Sequence, residues 1–348
     1  MPFTPSQLAN AGETAINYYL KNVPIDNIVI RHPFLKRLEA KKKTFPGALQ
    51  YVIEQLRFTY GANFQWYRGD AEVTYNARNT IQQAQYPWSS AHDGFALTED
   101  QLTQNGIILT DTAEAVASKA EVMQLTNLLK EQNEALREGF YYSLDYQLYQ
   151  NGSQSADAVA GLDNLISTTP TTGTVGGINA ATSTWWQNYA QTGISTATAG
   201  NLITQMEIAW RACTRNGGTP DFIMCGSAFL DAYRGDAEGT VTRFLNIAEK
   251  GGTEMDASVT GLAFHNIPVV WAPIMDDLEA NLSPTVSWSN RCYFINTNYL
   301  HWRPAQGHDM IVRKPPRVYN RYVHYWGLTT KGALTTGRRN AHAVLAIA

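Results

Sequence analysis

Cysteine is scarce in this chain of 348 residues, which contains three. Cys213, Cys225 and Cys292 are too few and too widely spaced for a disulfide framework or a zinc-binding pattern. We therefore expect these side chains to be small, buried, apolar groups in a protein of a reducing compartment.

Long apolar runs are also missing. No stretch approaches the roughly 18 consecutive apolar residues of a membrane-spanning helix. Residues 1–6 show neither the basic nor the apolar region of a signal peptide. The sequence therefore predicts no membrane partner. Its 44% of hydrophobic residues is nevertheless enough for a real core, in one large domain or in two to three ordinary ones.

Catalytic motifs are absent as well. The glycine-rich stretch 173–177 lacks both the spacing and the lysine of a phosphate-binding loop. The sequence around Ser227 lacks the second glycine of a nucleophile elbow, so we predict that Ser227 caps a helix. No cofactor-binding residue and no enzymatic activity are predicted.

Two small clusters leave alternatives open. His301, His308 and Asp309 could bind a metal, but they flank a Pro/Gly turn rather than a helix face, which favours ordinary polar loop residues. Asp276 and Asp277 could be paired carboxylates for acid–base chemistry, although their surroundings favour a solvated turn. We predict no catalytic and no metal-binding residue.

Lysine is absent from Thr44 to Ser118, and within that stretch residues 57–109 form a polar ribbon. The ribbon has almost no aliphatic run from which to build a core, and residues 71–81 favour a strand. Its aromatic residues include Phe58, Tyr60, Phe64, Trp66, Tyr67, Tyr75, Tyr86 and Trp88. Such a ribbon cannot bury itself.

Arg57, Arg68 and Arg78 are interleaved with these aromatic residues. Aromatic residues and arginine are enriched together in protein–protein interfaces. Nucleic-acid-binding surfaces rarely lack lysine so completely, so we predict that the ribbon contacts other protein chains. Stacking on sugars or bases, by the ribbon or by Trp185, Trp186 and Tyr189, is the alternative.

A long helix is predicted directly after the ribbon. Asp111–Glu114 has the pattern of a capping box, and apolar residues then recur at helical spacing. The 28 residues Asp111–Glu138 would span roughly 42 Å, and more if the helix crosses Gly139. An over-long helix beside an unburied ribbon indicates a subunit that completes its fold against neighbours.

The remaining elements are predicted from local patterns. An amphipathic helix at Pro5–Lys21 precedes an extended, proline-punctuated arm, in which Phe34, Leu35 and Leu38 serve as anchors. Thr168–Gly177 is predicted as a loop. A mixed region follows, with a helix at Ala199–Asn216 and strands at Phe222–Cys225, Ala263–Pro273 and Cys292–Asn296.

Charge is strongly segregated along the chain. Residues 21–43 sum to +5 and residues 291–348 to +8, so the rest of the chain must carry −16 to give the net −3. Three interpretations are open: uneven solvated faces, nucleic acid on the basic segments, or basic arms lying on acidic surfaces of other copies.

The order of these parts resembles the major capsid proteins of tailed bacteriophages with the HK97-type fold. Several local patterns fit that group. They are Gln85–Gly106 before the long helix, Gly161–Ile166 followed by Thr174–Asn179 and Trp185–Trp186, then Gly217–Ile223, Gly261–Val270 and Tyr293–Leu300. Together they cover residues 57–348.

The resemblance implies an α+β fold with five parts. These are an N-terminal arm at 1–46, an extended β-hairpin loop at 47–110, a spine helix of the peripheral domain at 111–150, an α/β axial domain at 151–290 and peripheral-domain strands at 291–348. The arm and the loop would both reach across adjacent subunits.

The resemblance also implies a function. The chain would be a non-enzymatic shell subunit that assembles in the host cytoplasm into hexamers and pentamers of an icosahedral virion. The shell would enclose double-stranded DNA without sequence-specific contact, with scaffolding, portal and decoration proteins as further partners. The alternatives are an encapsulin-type nanocompartment shell and, from another class, a carbohydrate-binding or glycan-processing protein.

Two features depart from well-known members of that group. Members that cleave themselves carry a long helical scaffolding segment, for which this sequence has no room. Members that crosslink covalently need a lysine on the extended loop, and this loop has none.

We therefore expect a shell without covalent links between subunits. Particles boiled in denaturing detergent without reductant should run as a single band near 38.7 kDa. A ladder of dimers to hexamers under these conditions would contradict the prediction.

Overall fold

The computed structural model describes residues 32–47, 50–104, 119–215, 217–240, 262–282, 286–316 and 321–348. Its helices are α1 (Pro33–Ala40), α2 (Glu99–Gln104), α3 (Lys119–Tyr149), α4 (Leu162–Leu165), α5 (Asn201–Arg215), α6 (Ser227–Thr240) and α7 (Pro273–Asn281). Its strands are β1 (Tyr51–Arg57), β2 (Ile81–Pro87), β3 (Ser89–Thr98), β4 (Thr174–Val175), β5 (Ile178–Asn179), β6 (Tyr189–Ile194), β7 (Phe222–Cys225), β8 (Ala263–Phe264), β9 (Ile267–Trp271), β10 (Arg291–Ile295), β11 (Leu300–Pro304), β12 (Ile311–Arg313), β13 (Val323–Thr336) and β14 (Ala343–Ile347).

The larger sheet has six strands in the order β6-β14-β10-β7-β9-β8. β7 pairs in parallel with β9, and β14 pairs in parallel with β6. Side chains alternate between its two faces, as the pleat requires. Met224 and Tyr293 join the core cluster that includes α1, whereas Ile223 and Phe294 join the cluster that includes α5 and α6. The middle strands are therefore covered on both faces.

The second sheet is organised around β13, a strand of 14 residues. β3 pairs with β13 on one side, and β11 and β12 pair with it on the other. Helix α3 packs on this sheet through Leu136 and Phe140, which lie in one cluster with Leu328. This packing fixes the long helix to the sheet.

Helix α3 is the predicted long helix. In the described residues it runs for 31 residues, about 46 Å at the usual rise per residue, and passes through Gly139. The predicted capping box at 111–114 lies outside the described residues. The glycine is tolerated because buried side chains hold the helix on both sides of it, including Leu136, Phe140 and Leu148.

The arm differs from its prediction. Residues 33–40 form helix α1 rather than extended chain, because Pro33 occupies the first turn, where its fixed φ favours a helix. Phe34, Leu35 and Leu38 are buried within this chain, with the Phe34 ring 5.1 Å from that of Tyr149. The predicted helix at residues 5–21 lies outside the described residues.

The predicted single strand at 263–273 is wrong, because it contains a hairpin. His265 and Asn266 have φ values of +48° and +64° and form the tight turn between β8 and β9. Two left-handed residues fit the twist of a two-residue hairpin. Neither residue is glycine, so the turn signal in the sequence was weak, and Pro273 begins α7 rather than ending the strand.

Three strands cross the part boundaries inferred from the sequence. β10 and β14, both from 291–348, lie in the six-stranded sheet together with strands from 189–271. β3, from within 47–110, belongs to the sheet of β13. The sheet that each strand joins is decided by pairing with strands far away in the sequence. Local sequence patterns do not contain this information.

His342 is buried between the two sheets. Its Nδ1 accepts a hydrogen bond from the backbone N–H of Asn296 at 3.1 Å, and its Nε2 lies 3.3 Å from the hydroxyl of Thr336. Burial, reinforced by the nearby charge of Arg339, lowers the pKa of His342 to about 3. The ring is therefore neutral in the folded protein at ordinary pH.

We expect acid to destabilise the fold through this ring. The unfolded state takes up a proton near pH 6.5, the ordinary pKa, whereas the folded state resists protonation until about pH 3. Between these values the free energy of unfolding should fall as pH falls, by up to about 1.4 kcal/mol per pH unit from this one group. Urea unfolding of the wild type and of His342→Gln across pH 4–7 tests this, and equal slopes would contradict it.

Candidate assembly interface

Residues 58–80 of the ribbon project from the β1–β2 pair as a hairpin. β1 and β2 pair antiparallel, with Arg57 opposite Ile81. Residues 58–80, all of which are described, contain no regular strand. The two arms are instead held together by side chains: Gln65 Nε2 donates to the Thr74 hydroxyl at 3.0 Å, and the Thr74 N–H donates to Gln65 Oε1 at 3.1 Å.

A bulge lies between the base of the hairpin and its tip. At the base, the Phe58 N–H donates to the carbonyl of Thr80. Further out, a Cβ placed on Gly61 would lie 3.5 Å from the Cβ of Arg78. Phe58 is thus opposite Thr80, and Gly61 is opposite Arg78. Between these two pairs the arm that leaves β1 contains one residue more than the arm that returns to β2. Gly61 has a φ of +54° and donates its N–H to the Thr59 hydroxyl, as in a glycine bulge.

The bulge gives the tip one apolar face. With Gln65 opposite Thr74, alternation along the two arms separates the side chains into two sets. Strand-like alternation predicts Ala62, Phe64, Trp66, Val73, Tyr75 and Ala77 on one face, and Asn63, Gln65, Tyr67, Glu72, Thr74 and Asn76 on the other. The rings of Phe64 and Trp66 meet edge to face at 5.2 Å, as expected for neighbours on one face.

The apolar face is uncovered within the chain. Trp66 is 92% exposed, Tyr75 91% and Phe64 75%. Large apolar side chains gathered on one exposed face mark interaction sites in soluble proteins. At the base of the hairpin the apolar side chains are buried instead. Val52, Leu56 and other residues on one face of the β1–β2 pair lie in the chain's own core.

The base is anchored by the short β4–β5 hairpin. The N–H of Gln85 donates to the carbonyl of Gly176 at 2.9 Å. Gly176 has a φ of +61°, and a side chain there would meet Ala84 and Tyr86. The hydroxyl of the buried Tyr86 donates to the carbonyl of Thr336. Residues 168–177, predicted as loop, thus include strand β4, and Gly176 in the turn after it contacts the base of the hairpin.

Trp185 and Trp186 also support the base. Trp186 is buried, and its indole N–H donates to the carbonyl of Val175 at 3.0 Å. Trp185 is half-buried, with its ring 5.7 Å from that of Phe58. The buried ring of Trp186 is therefore closed to stacking on a sugar or a base, and the ring of Trp185 is partly occupied by Phe58.

The candidate catalytic residues make structural contacts. Helix α6 begins at Ser227, and Asp276 Oδ1 accepts both the backbone N–H and the hydroxyl of Ser227. Asp276 therefore supplies the cap that we predicted for Ser227. Asp277 Oδ2 accepts the hydroxyl of Tyr142 at 3.0 Å. Both aspartates lie in helix α7 rather than in the solvated turn predicted for them, because Pro273 begins a helix there.

The candidate metal ligands do not form a site. Asp309 pairs with Lys42 at the surface. His301 lies in β11, where burial and the nearby charges of Lys43 and Arg303 lower its pKa to about 4. In the part of the chain that the structure describes, no group of three or more His, Cys, Asp or Glu residues is placed to hold a metal ion.

Comparison with known proteins decides the family. The sequence model of the SU10 major capsid protein family matches residues 59–347, which span the ribbon and both sheets. The chain belongs to this family of major capsid proteins. Its function is therefore to form the shell of a phage capsid.

Solved capsid structures share the fold. The capsid asymmetric unit of cyanophage A-1(L) matches with a TM-score of 0.60 and 15% identity, over 91% of this chain and 92% of that one. The capsid of Myoviridae phage XM1 gives 0.54 and 15%, over 91% and 92%. The capsid of the native GTA particle gives 0.54 and 14%, over 90% of each chain. These matches confirm the predicted HK97-type fold, although no curated protein matches the sequence.

Sequence reasoning missed three features of this capsid protein. It did not find the bulge at Gly61, the apolar tip face or the role of Asp276 as a cap. A repeating apolar alternation from Val73 to Ala77 was the one local signal for the face.

None of the helices in the described ranges combines the length and the apolar character needed to cross a lipid bilayer.

Proposed function

We propose that the ribbon is the extended loop of the capsid protein and that its apolar face docks on a neighbouring subunit of the shell. The observation that carries this proposal is the exposure of Phe64, Trp66 and Tyr75 on one face of a hairpin whose base is firmly held. Aromatic anchors of this kind supply much of the binding energy of protein interfaces.

We further infer that the subunits form hexamers and pentamers of an icosahedral head. The six-stranded sheet with α5, α6 and α7 would be the axial domain, and the β13 sheet with α3 the peripheral domain. In this proposal β10 and β14 would belong to the axial domain and β3 to the peripheral domain, because they pair within the corresponding sheets. Scaffolding, portal and decoration proteins are partners that such a head would use, and assembly would take place in the host cytoplasm.

Among the described residues, the candidate catalytic side chains are not brought together into a site that favours an enzyme. Asp276, Asp277 and Ser227 are engaged in structural hydrogen bonds, and His301 and Asp309 make separate contacts. The proposed role is therefore structural. Negative-stain micrographs of the purified chain test it directly: closed shells are expected, and a chain that stays monomeric at high concentration would contradict it.

Packaged double-stranded DNA is the proposed content of the shell. Residues 111–150 carry seven acidic residues against Lys119, Lys130 and Arg137, so a lumen lined by this helix should repel rather than grip DNA. We expect confinement to retain the DNA, with a shallow salt dependence of any residual binding. A steep loss of DNA binding between about 50 and 200 mM salt, for shells or for free subunits, would contradict this.

The encapsulin-type alternative makes a different prediction about content. Shells purified from cells that also contain the phage genome should carry DNA rather than a protein cargo. Enzyme cargo in place of DNA would favour the nanocompartment.

A further inference from the structure

Asparagine followed by glycine occurs in this chain at residues 105–106, 151–152 and 216–217. In this dipeptide the glycine nitrogen can attack the side-chain amide carbon of the asparagine, because glycine has no side chain to obstruct the approach. The pair Asn151–Gly152 is described in full, and it lies just beyond the end of helix α3 at Tyr149. Its geometry can therefore be compared with what the reaction requires.

The side-chain amide of Asn151 is held by Ser153. The backbone N–H of Ser153 donates to Asn151 Oδ1 at 2.9 Å, and the Ser153 hydroxyl donates to the same oxygen at 2.7 Å. A backbone N–H can only donate, so the atom that it meets is the amide oxygen and not the amide nitrogen. Two donors on one carbonyl oxygen draw electron density away from the amide carbon, which favours attack on that carbon.

The same two donors suit the intermediate of the reaction. Attack on the amide carbon of Asn151 places negative charge on Oδ1, and donors already directed at this oxygen stabilise that charge without rearrangement. Ser153 therefore provides an oxyanion hole from its N–H and its hydroxyl. Both donors belong to the same short segment as the amide, so they act without a ligand or a partner chain.

The Gly152 nitrogen is available as the nucleophile. Its N–H makes no hydrogen bond to any of the described residues, so no such bond must break before the proton leaves. Asn151 is exposed, so hydroxide or a buffer base can reach the site. The pair at 216–217 differs in this respect, because the N–H of Gly217 donates to the carbonyl of Thr214 at 2.8 Å.

We propose that Asn151 is a site of self-modification, at which the Gly152 nitrogen closes a succinimide ring on the Asn151 side chain. A bond forms between this nitrogen and Cγ of Asn151, and the bond between Cγ and Nδ2 breaks. The side-chain nitrogen leaves as ammonia, and base carries away the proton of the Gly152 N–H and returns one to the leaving group. Water then opens the ring and leaves aspartate or isoaspartate at position 151.

The modification changes the junction after the long helix. Each product adds a negative charge beyond the C-terminal end of α3, where the helix dipole favours cations instead. Isoaspartate also lengthens the main chain by one carbon, in a place where a Cβ on Gly152 would already lie 3.0 Å from Ala160 Cα. A subunit built into a shell is not replaced by new synthesis, so the modified fraction would record the age of the shell.

Peptide mapping of the purified full-length chain tests the site. After incubation at mildly alkaline pH, mass spectrometry should show conversion of amide to acid at residue 151, faster at higher pH because base removes the Gly152 proton. Labelling by an isoaspartyl methyltransferase should identify the isoaspartate form. Asn216 in the same digest is the internal control, and it should convert about tenfold more slowly because its nucleophile must first give up a hydrogen bond.

Ser153→Ala tests the oxyanion hole. This substitution removes the hydroxyl donor and keeps the N–H, so conversion at residue 151 in the folded chain should slow by about tenfold or more. Synthetic peptides of residues 146–158, with and without the substitution, control for local sequence and should convert at equal rates. Asn151→Gln should abolish conversion, because the longer side chain would have to close a larger ring.

Three results would overturn the proposal. One is an unmodified residue 151 in the folded chain after an incubation that converts the synthetic peptide completely. Another is an equal rate of conversion in the folded wild type and the folded Ser153→Ala chain. The third is conversion at Asn216 that is as fast as conversion at Asn151. Ser153 is exposed, and retention of the cooperative thermal transition in Ser153→Ala shows that its chain is folded.

Discussion

A chain that lacks Gln65–Asn76 is expected to fold into a soluble monomer that cannot form shells. The deleted residues carry the exposed side chains of Trp66, Tyr67 and Tyr75 and make hydrogen bonds mainly with one another. The buried part of the hairpin, from Val52 to Leu56, is untouched. Electron microscopy should show no particles, whereas thermal unfolding should remain cooperative with little change in midpoint.

Point substitutions separate the two faces of the tip. Trp66→Asp with Tyr75→Asp should abolish assembly, since each aromatic anchor at an interface contributes about 2 kcal/mol or more. Asn63→Asp with Asn76→Asp places the same charge on the polar face and should leave most assembly intact. Loss of the cooperative unfolding transition in the deleted chain would show that the tip belongs to the subunit's own core instead.

The largest expected loss of stability follows removal of Arg339. This guanidinium is buried and donates to the carbonyls of Leu165 and Trp186 at 2.7 and 3.0 Å and to Asn188 Oδ1 at 3.1 Å. Its burial lowers its pKa to about 10. Arg339→Ala leaves the buried carbonyls of Leu165 and Trp186 without their donor and a cavity beside Asn188, so we expect a loss of about 3–5 kcal/mol.

The neighbouring Arg338 provides the control. It is exposed and contacts Tyr299 at the surface, so Arg338→Ala should change the free energy of unfolding by less than about 1 kcal/mol. Arg339→Lys keeps the positive charge but not the planar set of donors. Its loss in the free energy of unfolding should therefore lie between those of Arg339→Ala and Arg338→Ala. Urea unfolding followed by tryptophan fluorescence measures all three variants. A loss below about 1 kcal/mol for Arg339→Ala would contradict the assigned role.

The course of the chain was largely readable from the sequence where a single local property dominated. The long helix followed from apolar residues at helical spacing, and its continuation through Gly139 to Tyr149 needed only enough buried side chains on both sides. Helix α5 and strands β7 and β10 were found within two residues of their predicted ends. The ribbon was recognised because it lacks a run of aliphatic residues, and a segment without such a run cannot build a core of its own.

Errors arose where the decisive partner was distant in the sequence. Helix α1 in the arm is buried because Phe34 and Leu35 pack with Tyr149 and with side chains of the six-stranded sheet. The solvated turn predicted at Asp276 and Asp277 is a helix whose first turn binds Ser227 and Tyr142. In each case the local pattern allowed two structures and a contact from elsewhere in the chain selected one.

The sequence by itself determined that this capsid protein has an exposed, arginine-bearing aromatic ribbon joined to a long helix, because composition and periodicity are local properties. Only the tertiary structure decided which way the ribbon's side chains point. One extra residue at Gly61 sets the pairing of Gln65 with Thr74, and on that pairing side-chain alternation assigns Phe64, Trp66 and Tyr75 to one face. A change of register by one residue turns every side chain to the opposite face, and register is fixed by pairing between strands rather than by either strand alone.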